Sequence, residues 1–192
     1  MKRLCSIVLL TLPALAADLD ISLAHNSAPE KATREQLERV LKQYDASEFI
    51  WTNRIVIDSA AIPHSHPVLT LHTRHLKQDK QLLSTFLHEQ YHWYEEKHKS
   101  DTDAAIAEMR RKWITLPVGA PEGADDEDSS YLHVIVCYAE FQELKRVIGE
   151  GDAKKIMDFW AADHYKAIYR LVITEEVAVG AIMRRHGLWP PQ

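Results

Sequence analysis

The segment that most constrains this chain runs from Gln78 to His98 without Pro or Gly, and it carries His88-Glu89-Gln90-Tyr91-His92. Leu83, Phe86, Leu87 and Tyr94 recur near helical spacing, so the segment reads as a half-buried helix. Asp79 is the expected N-cap, and Lys97, His98 and Lys99 suit the negative end of the helix dipole. Two histidines four apart then share one helical face, about one turn from each other. Both imidazoles can reach one Zn²⁺, and Glu89 can take a proton from a water activated by it. The plainer alternative is a pair of surface histidines on an amphipathic helix in a chain with 11 His.

The first residues suggest where such a site would work. Lys2 and Arg3 precede a mostly apolar run, Leu4 to Leu15, that is too short to span a bilayer. Ala14-Leu15-Ala16 fits the small-x-small cleavage rule. Residues 1–16 therefore read as a secretory signal peptide, and residues 17–192 as one domain with no integral membrane segment, secreted or periplasmic. The chain carries 23 basic and 28 acidic residues, a formal charge of −5, and loss of Lys2 and Arg3 would make it more acidic. That balance argues against nucleic acid or an anionic membrane as partner. Only Cys137 would remain after cleavage, so no internal disulfide can form.

Around the pentad the chain alternates. Thr33-Arg34-Glu35-Gln36 has the form of a capping box, which predicts a helix near 33–46 after a lead-in at 17–31. Phe49-Ile50-Trp51, Arg54–Ile57 and Val68–Thr73 read as strand material, the last able to pair with an extended substrate beside the cleft. Ser100 or Asp101 caps a helix to about Ile114, and the Pro-, Gly- and acid-rich stretch 116–128 is a surface loop. Tyr131 to Ile148 is strongly helical up to Gly149. The remainder predicts helices over 153–161 and 163–186. The expected fold class is α+β, a small sheet packed on the pentad helix and then a mainly helical C-terminal half.

A catalytic zinc needs three protein ligands and an open position. On the 131–148 helix, His133, Cys137, Glu140, Leu144 and Val147 share one stripe at about 100° per residue. A carboxylate on that apolar stripe needs a charge partner or a metal. Glu140 is accordingly the expected third ligand, with Glu143, about 60° round the helix, in reserve. A salt bridge to a surface Lys or Arg is the alternative for Glu140. His133 could donate to a developing oxyanion, support a ligand from behind, or be an ordinary core histidine. Tyr165 and Tyr169, four apart, are further candidates for an oxyanion donor, and Glu95 and Glu96 are weaker ligand candidates. His64, His66, His72 and His75 read as solvated loop histidines, and Asp125–Asp128 as a solvated acidic run.

The pentad followed by a glutamate on a later helix resembles the gluzincin branch of the zincin metallopeptidases. The matching residues are His88, Glu89, His92 and Glu140. The flanks, Leu83 to Trp93 and His133 to Phe141, also look like a group of small secreted bacterial and fungal proteins of uncharacterised function, over about residues 50–175. The metzincin extension is absent, since Glu95 and Asp101 do not fit it, and so is the Asn-Glu pair around Glu140 that some gluzincins carry. The resemblance implies a zincin-like metallopeptidase fold with Zn²⁺ as cofactor and a peptide or protein as substrate. In that reading His88, His92 and Glu140 hold the metal, Glu89 is the general base, and His133 assists in catalysis. The rivals are a zinc-binding protein without turnover and a zinc hydrolase of a non-peptide amide.

Overall fold

A computed structural model describes residues 19–191. The leader expected at residues 1–16 lies outside these, as does the start of the cleaved chain. The fold is α+β and mostly helical. Among the described residues the order is β1 Asp20–Leu23, α1 Ala28–Gln43, a 3₁₀ turn Ser47–Phe49, β2 Arg54–Ile57, β3 Leu69–Leu71, α2 Asp79–Lys97, α3 Lys99–Lys112, α4 Glu127–Ile148, α5 Glu150–Asp163, α6 Lys166–Thr174 and α7 Glu176–Arg185. The strands form one parallel sheet in the order β1-β2-β3, with Ile21 beside Ile55 and Ile55 beside Leu69. No helix among the described residues is long and apolar enough to cross a membrane.

The pentad helix α2 lies in the middle of the molecule. It touches the sheet through β3, and α1, α3, α4 and α5 pack around it. Leu83, Phe86, Leu87 and Tyr91 are fully buried. The second interior helix, α4, buries residues on nearly every face from Ser130 to Phe141, as expected of a helix with apolar residues all round. It starts at Asp126, whose side chain accepts from the Ser129 N–H. It stops at Gly149, where φ of +82° suits a residue without a Cβ.

Several elements depart from the sequence expectations for local reasons. The first helix starts at Ala28, not at the Thr33 box, because Glu30 closes the turn by accepting from the Ser27 N–H. The supposed lead-in contains β1, a strand too short to show its alternation. Phe49-Ile50-Trp51 is not a strand. The Trp51 and Thr52 N–H groups donate to the Gln90 side chain at 2.7 and 2.9 Å, and its amide returns a bond to the Thr52 carbonyl. Gln78, not Asp79, occupies the N-cap of α2, and Asp79 instead accepts from Arg39 and Gln36. The last helix expected, over 163–186, is two, α6 and α7. α6 begins after Tyr165, and its first N–H groups, Lys166 and Ala167, donate to Pro121 and Glu122 carbonyls of the loop before α4.

The outer edge of β3 is used by the chain itself. Leu69 and Leu71 pair with β2, while Thr70 exchanges both backbone bonds with His64, antiparallel, at 2.8 and 3.2 Å. The strap Ile62–Pro67 therefore lies where an added strand would begin.

Candidate metal centre

α2 and α4 cross antiparallel at the centre of the fold, so Glu140 is level with Ser84 and His88 while His133 is level with His88 and His92. The ring centroids of His88, His92 and His133 are 5.2, 5.6 and 5.2 Å apart pairwise. One ligand nitrogen from each lies within 4.8 Å of the other two. All three are buried, with exposures of 7, 9 and 9 %, and His88 reaches the wall of the neighbouring cavity.

Each of these imidazoles is held from behind through Nδ1. His88 Nδ1 donates to Glu140 Oε2 at 3.0 Å. His133 Nδ1 donates to the Ser129 carbonyl at 2.7 Å, one turn back on α4. His92 Nδ1 lies 3.4 Å from Glu95 Oε1. A ring held through Nδ1 keeps Nε2 for a further partner, which is how metal-binding histidines are oriented. Burial and the neighbouring imidazoles hold His92 well below the ordinary histidine range, and burial with the charge of His88 takes His133 to about 3. Both are thus neutral at pH 7, as metal ligation requires. Burial lowers His88 too, but its hydrogen bonds to Cys137 and Glu140 outweigh this and raise it.

Glu140 has little left to offer a metal. Ser84 Oγ donates to Oε1, while His88 Nδ1 and Tyr169 OH donate to Oε2, the latter at 3.0 Å. Ser84 is itself fixed by the Trp160 indole N–H at 2.7 Å. A second group, His88 with Cys137 and Glu140, also brings ligand atoms together. It is the more buried group, with Cys137 at 0 % and Glu140 at 1 % exposure, and both oxygens of its carboxylate already accept hydrogen bonds. Glu143 is buried as well but turns to Arg146, at 2.9 Å through Oε2, away from the histidines. No metal is needed to explain it.

No family model matches the chain, and the searches of curated proteins and of solved structures find no match either.

A cavity of about 430 Å³ opens beside the histidines, with His88 and Glu89 in its wall. Burial pushes the Glu89 carboxyl up to about 7, and its carboxylate has no hydrogen-bond partner among the described residues. Tyr165 also lines this cavity, its ring centroid 4.3 Å from that of His133. Its backbone is left-handed, φ +47° and ψ +37°, a conformation that costs a non-glycine residue energy and is concentrated at functional sites. Burial raises its phenol to about 12, so it stays a donor at neutral pH. Gly123 in the facing loop admits no side chain, since a Cβ there would come within 1.8 Å of the Pro117 carbonyl oxygen.

Of the residues singled out in the sequence, His88, Glu89, His92, His133, Glu140, Tyr165 and Tyr169 come together here. Glu143 and Glu96 do not, and Glu96 instead meets His66 at 2.8 Å. Ser84 and Trp160, which steady Glu140, carried no signal in the sequence. A serine one turn before a pentad histidine is recognisable only once α4 is seen to cross there.

Proposed function

We propose that this chain is a zinc-dependent hydrolase of peptide bonds, with His88, His92 and His133 as the metal ligands and Glu140 as the carboxylate that orients His88. The observation that carries the reading is the convergence of three imidazoles whose Nδ1 atoms are already engaged, beside a buried carboxylate that is not. This exchanges the parts expected of Glu140 and His133 and departs from the gluzincin pattern. A pentad helix packed under a small sheet and followed by a helical half supports a zincin-like layout. When bound, zinc acidifies water and polarises a carbonyl oxygen.

The protein's own groups supply the remaining steps. Glu89, near 7 in its buried setting, accepts a proton from the attacking water as the new C–O bond forms. It then passes that proton to the leaving nitrogen as the C–N bond breaks. Tyr165 donates to the oxygen that gains charge in between, the role in which a fixed donor is most effective. Glu95 and the Ser129 carbonyl keep His92 and His133 in one tautomer and orientation.

The test is zinc analysis with a broad peptide screen on the wild type and Glu89→Gln. The wild type should hold about one zinc per chain. Glu89→Gln should keep the zinc and lose roughly 10²–10⁴-fold in hydrolysis. Wild-type turnover by a zinc-replete Glu89→Gln protein would refute the reading.

A further inference from the structure

In the cavity wall beyond Glu89, Arg74, Asp163 and His164 are tied to one another and His72 accepts from the Arg74 N–H, whereas His75 is a buried polar side chain that catalysis does not use. His75 is 5 % exposed and lines the cavity. Its Nδ1 lies 3.0 Å from Gln78 Oε1. A carboxamide oxygen only accepts, so the proton is on Nδ1 and Nε2 carries a lone pair. Nε2 has no partner among the described residues. Burial lowers the pKa of His75, which keeps the ring neutral and Nε2 an acceptor at pH 7. The ring stands edge-on to Trp160, with centroids 5.3 Å apart and planes at 87°. Trp160 and Thr85 form the wall beside it, and Ile62, 81 % exposed, stands with Pro63 at the mouth. A recess with more apolar than polar surface and a fixed, buried acceptor in its wall selects for shape and for a donor placed to meet that acceptor.

The backbone beside the cleft offers a substrate little. Thr70 is already paired with His64. Along the strap, Pro63 and Pro67 have no N–H, and the Ser65 carbonyl accepts from the Trp93 indole at 3.0 Å. Such an edge cannot support a ladder of main-chain bonds.

The geometry points to recognition of a tyrosine side chain in this cavity: its ring packs against Trp160 and its hydroxyl donates to His75 Nε2, while the main chain is read little. This rests on the hydrolase reading for its biological sense but not for its test, because binding is measured without turnover. An aromatic ring has the right bulk, and the phenol provides a donor to an acceptor of the cavity wall that no other protein group uses.

The experiment is titration calorimetry of the purified full chain with N-acetyl-tyrosine amide, N-acetyl-phenylalanine amide and N-acetyl-O-methyltyrosine amide. The tyrosine amide should bind about tenfold tighter than either analogue, the scale of one hydrogen bond to an otherwise unpaired group. His75→Phe should bring the three within about twofold, largely by weakening the tyrosine amide. Gln78→Leu, which frees the tautomer, should also narrow the gap. Equal binding of tyrosine and phenylalanine amides by the wild type overturns the proposal, and needs no variant to be stable. So does equal binding of the O-methyl compound, which keeps the bulk and lacks the donor, and so does a failure of all three to bind. Loss of the hydrolase reading through Glu89→Gln would leave these ratios untouched.

Discussion

Two fully buried carboxylates, Glu30 beside the sheet and Glu140 between the central helices, differ in the kind of partner that holds them. Glu30, at the corner of β1, α1 and β2, accepts from the His25, Ser27 and Ser59 N–H groups and from Ser59 Oγ. Its donors are mostly backbone, drawn from two turns that it ties together. Glu140 accepts only from side chains, which come from α2 and α6. One of them is the first pentad histidine. Backbone donors are supplied by any sequence that makes the turn, so Glu30 serves the fold. Three side-chain donors must each be encoded, and a carboxylate that orients an imidazole is the known companion of a metal-ligating histidine. Both corners also bring a histidine and acids together, since His25, Glu30 and Asp58 could in principle hold an ion. There, however, Glu30 has both oxygens occupied and His25 is exposed.

The sharpest way to break this comparison is to measure zinc affinity. His133→Ala should lose more than roughly 100-fold, because a ligand is gone, whereas Glu140→Gln should lose about 10–100-fold, the usual effect of removing the group behind a ligand. Glu30→Gln should leave the zinc affinity within error of wild type. Competition with a chromogenic chelator reads all three. If Glu140→Gln strips the metal as fully as His88→Ala while His133→Ala retains it, then Glu140 is the ligand and the two residues exchange roles.

A smaller effect separates Glu140 from its neighbour one turn on. Glu143 is as buried as Glu140 but is held by Arg146, which also donates to the Asp45 carbonyl at 2.6 Å. Glu143→Gln should destabilise the fold by about 1–3 kcal/mol, the cost of leaving hydrogen-bonding groups short of partners. It should not change zinc affinity. Chemical unfolding and metal titration on one preparation give both values, and a fall in zinc affinity alone would place Glu143 in the metal site.

How much of this could be read in the chain follows from the same residues. The pentad helix was legible because its stripe, its length and the absence of breakers all agree, and it spans Asp79–Lys97. The stripe of α4 was legible too, and His133, Cys137 and Glu140 are all buried on it. The level at which each meets α2 was not. His133 and Glu140 are about 10 Å apart along the axis, and a helical wheel records angle without height. Only the antiparallel crossing sets Glu140 beside Ser84 and His133 beside His92. Tyr165 and Tyr169 read as a pair for the same reason, yet one faces His133 and the other binds Glu140. Gln90 was invisible in its role, because its partners are backbone groups of Trp51, which the strand pattern had claimed for a ladder, and of Thr52 just beyond it.

The smallest effect concerns Glu30 and acid. Burial alone would raise its carboxyl, but the N–H groups of Ser27, Ser59 and His25 outweigh this and hold it at about 2, against an ordinary value of 4.5. Because the folded value is depressed, the unfolded chain takes up the proton first as pH falls. The stabilisation from this carboxylate is therefore complete above 4.5 and is lost as pH drops toward 2. Glu108 and Asp152 are held near 2 as well, by Arg185 and by Lys80, so the wild-type slope is shared among several groups. The difference between wild type and Glu30→Gln isolates one of them. With zinc chelated, so that the histidine centre contributes equally to both proteins, the urea midpoint should fall less between pH 5 and pH 3 in Glu30→Gln than in wild type. Glu143→Gln should show no such flattening, since burial raises the Glu143 carboxyl more than Arg146 lowers it. Equal slopes in wild type and Glu30→Gln would mean that the backbone donors do not hold the charge, and Glu30 would lose its claim to be the structural counterpart of Glu140.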